Sequence, residues 1–519
     1  MLDNYHYNLG QLFNKIAFDN PNFIAIKAID GTLTTYKELQ ELSNKIAHYL
    51  STLSIKKNDV VAILNNKTEL SYALMLACLK IGAPYTNLDP KSPIERFHRM
   101  VNISQPKLLL YFQDKNSVIN DFASKSVMSI DYSSDGFIKK INTNNDEFPD
   151  CNKEVHGNTP AYIMFTSGST GFPKGVVISH LQVLNFINWS KTTYQTTTKD
   201  VFTNINPMHF DNSVFDFYAS FFTGASIIPV HEYLSRNPRK LLDALNEAEP
   251  TIWFSVPSML VYMLNMRALK STDLPTLRIV TFGGEGFPKN HLRVLWKYWS
   301  DRIRFVNVYG PTECTCICSS YDVSNKDMEV DDLLPLGHLA SGFYGLVINE
   351  QHEEVPLGET GELCIGGPNV GIGYYRDLEK TKAVFIDNPV NKTHQEQVYL
   401  SGDLVKQDLN SKIFLFCGRK DNQIKRMGYR IELEEIENAF NSIDFIKESA
   451  VVYVDNGRYA SKLIACLTSD LKDEAKITEV LKKYLPSYML PDLYFYFDDL
   501  PKNQNGKIDR LHLKKDLNS

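Results

Sequence analysis

Short apolar runs alternate with amphipathic helical stretches along most of this chain, and this alternation constrains the fold more than any other feature. Runs such as Val60 to Leu64 and Ile252 to Ser255 have the length of buried strands. Between such runs, Tyr36 to Leu50 and Leu70 to Ile81 carry apolar residues at helical spacing. Strands that alternate with helices pair in parallel, because each helix returns the chain to the same end of the sheet. We therefore predict an α/β fold.

The character of the sequence changes twice towards its end. From about residue 335, short strands broken by glycines predict a β-rich subdomain. The second change falls at Gly418-Arg419-Lys420-Asp421, and about 100 residues beyond it have the length of a separate α+β domain ending in a basic tail. We predict a large N-terminal domain of parallel βα subdomains and the β-rich subdomain over residues 1–418, and a small mobile C-terminal domain over residues 419–519.

Composition excludes several classes of protein. A net charge of −6 does not provide the basic field that nucleic acid or an anionic membrane attracts. The longest apolar run, Tyr72 to Leu79, is too short to span a membrane, and the N-terminus lacks the pattern of a signal peptide. Eight cysteines without a framework spacing indicate reduced thiols. We expect a cytoplasmic protein.

Three cysteines, Cys314, Cys316 and Cys318, lie at alternate positions. On a regular strand such residues lie about 6.6 Å apart. Thiolates that share a zinc ion lie at most about 4.6 Å apart. The spacing argues against a shared metal and favours cysteines of the core or of a pocket.

Residues 164–175 form a glycine- and hydroxyl-rich segment that follows a strand-like run. Gly168 and Gly171 let the backbone turn so that its N–H groups form a nest for anions. Lys174 adds a mobile positive charge, but the segment is not a Walker motif. The segment is either a polar surface loop or a phosphate-binding loop, and its Pro-Lys-Gly ending favours the second. Hydroxyl donors come from Thr166, Ser167, Ser169 and Thr170.

Further motifs follow strands or precede the C-terminus. Tyr309 offers a flat face for a base and Glu313 a hard oxygen for Mg²⁺, although Gly-Pro-Thr between them indicates only a turn. Asp403, in a predicted turn, either caps a helix or accepts the hydroxyls of a ribose, and Arg419 either reaches that sugar or makes a surface ion pair. Lys507 follows a tight-turn signal and is either a solvated charge or a bridge between a carboxylate and a phosphate.

Six segments, in this order, resemble the core motifs of the adenylate-forming (ANL) superfamily. Two stretches, Asp421 to Lys425 and Asn505 to Arg510, are similar to amino-acid adenylation domains of nonribosomal peptide synthetases and D-alanine–carrier-protein ligases. Asn503-Gln504 and Leu400-Ser401 depart from the usual pattern without removing a charged group that carries a role. The six segments are Phe165 to Gly175, Tyr309 to Glu313, Gly361 to Gly367, Tyr399 to Asp403, Gly418 to Glu435 and Leu500 to Arg510.

The resemblance implies a free-standing ligase that uses ATP and Mg²⁺. The carboxylate of an amino acid attacks the α-phosphorus, pyrophosphate leaves, and the resulting aminoacyl adenylate passes to the phosphopantetheine thiol of a separate peptidyl or acyl carrier protein. No nucleic acid or membrane partner is expected. An acyl- or aryl-CoA ligase and a catalytically silent nucleotide-binding sensor are the alternatives.

The resemblance also assigns roles to residues. Catalysis is assigned to Thr166, Lys174, Glu313 and Lys507. Glu313 would hold Mg²⁺, Asp421 would be the hinge of the small domain, and Gly428 would line a tunnel for the thiol. ATP binding is assigned to Thr166, Ser167, Gly168, Ser169, Thr170, Gly171, Lys174, Tyr309, Thr312, Asp403 and Arg419.

The substrate class rests on the motif from Phe210 to Asp216. The resemblance implies that Asp211 binds an α-amino group, which would exclude fatty and aryl acids, since a buried carboxylate left unpaired is costly. The alternative is that Asp211 caps the helix from Ser213. The mostly apolar lining predicts a small to medium apolar amino acid such as alanine, proline or valine, with D-alanine open. This lining is Phe210, Asn212, Phe215, Ser255, Val280, Phe282, Gly283, Val308, Cys316 and Ile317, with Lys507 at the carboxylate.

Overall fold

A computed structural model describes residues 6–112, 127–168, 172–391, 393, 395–454, 461–502 and 508–518. The chain divides into two compact units. The first unit contains the residues up to Leu88, Ser104–Phe165 and Gly175–Lys420. The second contains Asp89–Ile103, Thr166–Lys174 and the residues from Asp421 on.

The described α-helices are α1 (Leu9–Asp19), α2 (Tyr36–Thr52), α3 (Glu69–Ile81), α4 (Ile94–Ser104), α5 (Asp135–Asn142), α6 (His180–Tyr194), α7 (Asn212–Phe221), α8 (Glu232–Ser235), α9 (Pro238–Ala248), α10 (Pro257–Asn265), α11 (Lys289–Trp299), α12 (Leu378–Val384), α13 (Leu433–Phe440), α14 (Glu474–Leu481) and α15 (Arg510–Asn518).

The described strands are β1 (Ile24–Lys27), β2 (Leu33–Thr35), β3 (Val61–Ile63), β4 (Tyr85–Asn87), β5 (Leu108–Tyr111), β6 (Met128–Asp131), β7 (Pro160–Thr166), β8 (Lys174–Ser179), β9 (Val201–Asn204), β10 (Ser226–Pro229), β11 (Ile252–Ser255), β12 (Ile279–Gly283), β13 (Arg304–Tyr309), β14 (Ser319–Asp322), β15 (His338–Leu339), β16 (Tyr344–Ile348), β17 (Thr360–Gly366), β18 (Gly373–Tyr374), β19 (Phe385–Asp387), β20 (Gln397–Gln407), β21 (Phe414–Arg419), β22 (Gln423–Arg426), β23 (Tyr429–Glu432), β24 (Ile446–Val454), β25 (Lys462–Ser469) and β26 (Leu493–Tyr496).

Parallel strands build the two large sheets of the first unit, as the alternation of strands and helices predicts. One sheet has the order β15-β14-β13-β12-β11-β9-β10-β1-β2, and its strands from β13 to β1 pair in parallel. The other has the order β18-β8-β7-β4-β3-β5-β6, with β3 parallel to both β4 and β5. An antiparallel sheet of β16, β17, β20, β19 and β21 forms the β-rich part. The predicted α/β fold is confirmed.

Local capping explains why helices begin where they do. The Thr35 hydroxyl accepts the backbone N–H of Glu38, while the Glu38 carboxylate accepts the backbone N–H of Thr35, so α2 begins at Tyr36 as predicted. Ser179 and Gln182 make the same reciprocal pair at the start of α6. Each pair satisfies two backbone donors that a helix end would otherwise leave without partners.

The C-terminal part of the second unit contains a β22–β23 hairpin and a sheet of the order β24-β25-β26. Helix α13 begins at Leu433 and ends at Phe440, and its Ile436 and Phe440 are fully buried. The interpretation of the last residues as a basic tail is wrong, because Arg510–Asn518 form helix α15. Its Leu513 and Leu517 are buried, and apolar side chains at this helical spacing favour a helix that packs.

A buried histidine makes the first unit sensitive to acid. The backbone N–H of Leu9 donates to His180 Nδ1 at 3.0 Å, and burial lowers the pKa of His180 from 6.5 to about 3. The unfolded chain therefore binds a proton below pH 6.5 that the folded chain does not, so stability falls as the pH falls from 6.5 towards 3.

We expect His180→Asn to remove part of this acid sensitivity. Between pH 7.5 and pH 5, the wild type should lose about 2 kcal/mol more unfolding free energy than the variant, since each pKa unit corresponds to about 1.4 kcal/mol. Urea unfolding of both proteins at the two pH values measures the difference. An equal loss in both proteins would contradict the assignment of the acid sensitivity to His180.

Candidate active site

Three predicted site residues from β13, β20 and β21 meet: Tyr309 ends β13, Asp403 lies within β20, and Arg419 ends β21. Tyr309 Oη donates a 2.5 Å hydrogen bond to Asp403 Oδ2. Arg419 Nη1 donates to Asp403 Oδ1 at 2.7 Å and to the Ser401 carbonyl at 2.9 Å. The Asp403 carboxylate is buried, and burial together with this carboxylate raises the pKa of Tyr309 well above its ordinary value. Tyr309 therefore keeps its proton and remains a donor.

The expectation that Asp403 lies in a turn is wrong. Asp403 lies inside β20, directly opposite Arg419 of β21, so it does not cap a helix. Gly402 adopts φ +72°, a left-handed conformation that glycine tolerates, and the strand continues through it. The alternative of a surface ion pair for Arg419 is also excluded, because its side chain is only 13% exposed.

Glu313 lies in a short 3₁₀ turn, Thr312–Cys314, after β13, and is fully buried. Tyr374 Oη donates to Glu313 Oε1 at 2.7 Å, and the backbone N–H of Gly371 donates to the Glu313 carbonyl at 2.7 Å. The sequence interpretation missed Tyr374. It is 61 residues from Glu313 and belongs to the two-residue strand β18, so no local pattern marks it.

Asp211 is held by the same turn. Thr312 Oγ1 donates a 2.5 Å hydrogen bond to Asp211 Oδ2. Asp211 occupies the position before α7, but its carboxylate makes no capping hydrogen bond to the described first turn of that helix. The capping alternative is therefore wrong. The carboxylate is oriented by a side chain 101 residues away, at the end of a strand where ligands of parallel sheets bind.

Two residues of the predicted pocket face away from the others. Phe215, Val308, Cys316 and Ile317 belong to one buried cluster, in which the Phe215 ring lies 5.2 Å from that of Phe254. Side chains alternate between the faces of a strand, so neighbouring residues in β12 point in opposite directions.

Val280 and Phe282 of β12 belong to a different buried cluster, which contains Trp253 and Phe305. Their assignment to the same pocket as Phe215 is therefore wrong. Gly283 alternates to the other face, and its Cα lies opposite that of Val308 in the register of β12 and β13. Ser255 ends β11 and is buried, and Asn212 begins α7.

The distance of about 6.6 Å between alternate cysteines applies to a regular strand. Cys314, Cys316 and Cys318 do not lie on one. Thr315 and Cys316 have φ values of +52° and +74°, so the chain turns sharply after Glu313. All three thiols are buried, and burial raises the pKa of Cys316 well above its ordinary value. In the part of the chain that the structure describes, no cluster of three or more His, Cys, Asp or Glu side chains could hold a metal ion.

Within the glycine-rich segment, the described residues 166–168 and 172–174 belong to the second unit. Thr166 ends β7, and Ser167 Oγ donates to the Arg430 carbonyl of β23 at 2.7 Å. A side chain at Gly168 would collide with the carbonyl of Phe172, so this position requires glycine. Lys174 begins β8. The predicted residues Ser169, Thr170, Gly171 and Lys507 lie outside the described residues.

Asp421 and Gly428 flank strand β22 of the second unit. Asp421 Oδ1 accepts the backbone N–H of Gln423 at 3.2 Å, which starts the β22–β23 hairpin. Gly428 adopts φ +79° in the turn that joins the two strands. The role of Asp421 as the hinge and the role of Gly428 in lining the thiol tunnel stay predictions.

Comparison with known proteins places the fold in a class. It matches an adenylation domain of Vibrio cholerae, AlmE, solved in complex with glycyl-adenosine-5'-phosphate, with a TM-score of 0.82 and 22% identity. The match covers 99% of this chain and 98% of that chain. The fold is that of an adenylation domain.

Sequence comparisons identify the family. Residues 13–375 match the AMP-binding enzyme family, and residues 435–507 match the AMP-binding enzyme C-terminal domain. The chain is 33% identical to an L-proline–[L-prolyl-carrier protein] ligase of Pseudomonas fluorescens, over 93% of this chain and 94% of the relative. It is 30% identical to a D-alanine–D-alanyl carrier protein ligase of Bacillus cereus, over 98% and 99% of the two chains. This chain belongs to the AMP-binding enzyme family, which confirms the resemblance of its motifs to the adenylate-forming superfamily.

Within the described residues, no helix combines the length and apolar character that crossing a membrane requires.

Asp403→Asn is expected to weaken nucleotide binding. The substitution removes the charge that faces Arg419 and one acceptor, so the Kd for ATP should rise about tenfold, the cost of one charged hydrogen bond. Asp200→Asn is the matched control, because Asp200 is also buried and its carboxylate pairs with Arg278 at 2.7 Å. Asp200 directly precedes β9 and Arg278 directly precedes β12, so this pair lies at the amino ends of its strands. Equilibrium binding of labelled ATP measures both variants. Equal affinities in the two variants would contradict a nucleotide role for Asp403.

Proposed function

We propose that this chain is an AMP-forming amino acid–[carrier protein] ligase. It activates an amino acid with ATP as an aminoacyl adenylate and transfers the aminoacyl group to the phosphopantetheine thiol of a separate carrier protein. The observation that carries the proposal is the hydrogen bond from Thr312 to Asp211. It joins a carboxylate suited to an ammonium group to the same turn as Glu313, in a family whose relatives ligate amino acids to carrier proteins.

Two sets of residues bind the nucleotide. Tyr309, Asp403 and Arg419 are hydrogen-bonded to one another, and the others are assigned through the motifs. Asp403 accepts hydrogen bonds from the ribose hydroxyls, with Arg419 orienting the carboxylate. Tyr309 stacks against adenine, and Thr312 contacts the α-phosphate. The segment from Thr166 to Lys174 holds the outer phosphates through hydroxyl and backbone donors. Lys507 stabilises the charge that develops as the carboxylate attacks the α-phosphorus.

Glu313 has the properties of a Mg²⁺ ligand. Its carboxylate is a hard oxygen donor, is fully buried, and is oriented by Tyr374. Mg²⁺ is usually held by one or two carboxylates and the substrate phosphates, so a protein cage of three or more side chains is not required. When bound, the ion neutralises negative charge on the phosphates.

The amino acid is small to medium-sized and apolar. The lining that remains after removal of Val280 and Phe282 carries no countercharge for a charged side chain. Phe215 is fully buried, and its ring centroid lies 4.9 Å from that of Tyr194. A large, fixed ring at this position limits the volume of the substrate side chain. Relatives that act on proline and D-alanine support this size class, and D-alanine remains the second candidate.

Three further predictions stay untested. They are the domain boundary at residues 418 and 419, the hinge role of Asp421 and a cytoplasmic location.

An exchange screen tests the proposal. The purified chain is incubated with ATP, Mg²⁺, labelled pyrophosphate and each D- or L-amino acid, and label entering ATP is measured. We expect exchange with one or a few small apolar amino acids and none with their desamino acids. Exchange with plain carboxylic acids but no amino acid would instead identify an acyl- or aryl-CoA ligase, and no exchange with any acid would contradict a ligase.

A further inference from the structure

A buried lysine outside the motifs is bound to the carboxyl ends of two neighbouring strands. Lys67 Nζ donates to the carbonyls of Asn204 at 2.7 Å, Ile205 at 3.0 Å and Val230 at 2.9 Å. Asn204 ends β9, and Val230 directly follows β10. All three donors of the ammonium group therefore bind main-chain carbonyls where the two strands end.

A buried carboxylate holds the same segment from the other side. Asp216 Oδ2 accepts hydrogen bonds from Asn204 Nδ2 at 3.0 Å and Asn206 Nδ2 at 3.1 Å. Asn206 Nδ2 also donates to the Phe254 carbonyl at 3.1 Å, and Tyr72 Oη donates to Asn204 Oδ1 at 2.7 Å. The segment that leaves β9 is thus held at three consecutive residues, 204–206, by the side chains of Lys67, Tyr72 and Asp216.

This segment leads directly to the proposed ammonium site. Residues 205–211 connect the end of β9 to the start of α7, and Asp211 is the last of them. Asp216 lies in α7, one turn beyond Asp211, so it ties the helix that follows Asp211 back to the segment that precedes it. Lys67 and Asp216 together hold the start of the connection that carries Asp211, and Asp216 links that start to the helix that follows Asp211.

Burial of these two charges is costly, which argues that they do more than fill space. Lys67 is 9% exposed and Asp216 is fully buried. Burial lowers the pKa of Lys67 and raises that of Asp216, and each group counteracts the shift of the other. An apolar pair of similar volume would pack at a smaller desolvation cost but could not bind the carbonyls and amides of the segment.

We propose that Lys67 and Asp216 are positioning residues of the amino-acid site, which hold residues 204–211 so that the Asp211 carboxylate meets the ammonium group of the substrate. The proposal rests on the proposed function, since it takes Asp211 as the ammonium acceptor. Both residues bind the segment that leads to Asp211, so we expect their effect on the amino acid and not on the nucleotide.

Lys67→Met is the principal test, with Lys80→Met as the matched control. Lys80 is also a buried lysine and lies in the last turn of α3, the helix that begins two residues after Lys67. Its Nζ donates to Ser43 Oγ at 2.6 Å and Asn44 Oδ1 at 2.7 Å, and these residues lie in α2. Both variants therefore remove a buried ammonium group from the same unit, but only Lys67→Met releases residues 204–211.

We expect Lys67→Met to raise the KM for the amino acid about tenfold to a hundredfold, because a small displacement of a binding group has effects of this size. The KM for ATP should stay within about twofold, which corresponds to less than the loss of one hydrogen bond. Amide hydrogen exchange of residues 204–211 should accelerate in Lys67→Met and not in Lys80→Met. Asp216→Asn should show the same pattern, and it decides the question if Lys67→Met does not fold.

Three outcomes would overturn the proposal. The first is a parallel rise in the KM values for ATP and amino acid, the second is an equal effect of Lys80→Met and Lys67→Met, and the third is unchanged hydrogen exchange of residues 204–211. Either of the first two would show that Lys67→Met acts through general stability. The third would show that Lys67 does not hold residues 204–211. Failure of the proposed function is separate, since the wild type would then give no exchange with any amino acid.

Discussion

Asp211→Asn is expected to lower amino-acid-dependent pyrophosphate exchange by about 10²- to 10³-fold, because losing one partner of a charge pair that the bound substrate shields from water costs roughly 2–5 kcal/mol. Asparagine keeps the size of the side chain and can still accept a hydrogen bond from Thr312, so the hydrogen bond at 2.5 Å need not be lost. The loss should therefore come from the missing negative charge. ATP binding, measured with labelled nucleotide, should be unchanged.

The desamino analogue of the substrate separates this role from a structural one. The wild type should strongly prefer the amino acid, because the analogue leaves the Asp211 carboxylate without its ammonium partner. In Asp211→Asn, this preference should fall by about 10²-fold or more, in line with the loss of one charge pair. An equal loss of activity towards both acids would show that Asp211 supports the fold of the site and does not bind the ammonium group.

Lys507→Ala is expected to lower adenylate formation by about 10²- to 10³-fold, the usual effect of removing one group that stabilises charge in a transition state. The same variant should bind ATP normally. It should also still transfer the aminoacyl group from a supplied aminoacyl adenylate to a carrier protein, because the phosphorus chemistry is then already complete. Exchange and transfer assays measure the two half-reactions separately.

Lys502→Ala provides the matched control for Lys507→Ala. Lys502 lies five residues earlier, is 40% exposed, and its Nζ pairs with Glu448 at 2.8 Å. Removing an exposed ion pair of this kind costs little, so exchange activity should be unchanged. Normal exchange in Lys507→Ala, or a similar loss in both variants, would contradict the assigned role of Lys507.

Elements with a strong local signal could be predicted from the sequence. Helix α2 begins at Tyr36 because Thr35 and Glu38, three residues apart, cap it reciprocally. The strands β11 and β12 follow from short apolar runs bounded by turn residues, and their parallel pairing follows from the helix between them. The prediction of a basic tail is wrong because α15 has few apolar residues that would indicate a helix. Its two buried leucines pack on residues distant in the sequence.

Residue roles that depend on strand register could not be predicted to the same precision. The pocket assignment of Val280 and Phe282 is displaced by one position, and one position along a strand moves a side chain to the opposite face of the sheet. No periodicity distinguishes the two faces of β12, since all five of its residues are buried. Only the neighbouring strands determine which face lines the site.

Motif order and hydrophobic spacing were sufficient to predict the α/β class and the family, because both leave local patterns along the chain. The tertiary structure alone decided how those residues are held. Thr312 orients Asp211 across 101 residues, Tyr374 orients Glu313 across 61, and Lys67 secures the segment leading to Asp211 from a distance of 137 residues. Such bonds form only when folding brings separate strands together, so no local pattern in the sequence records them.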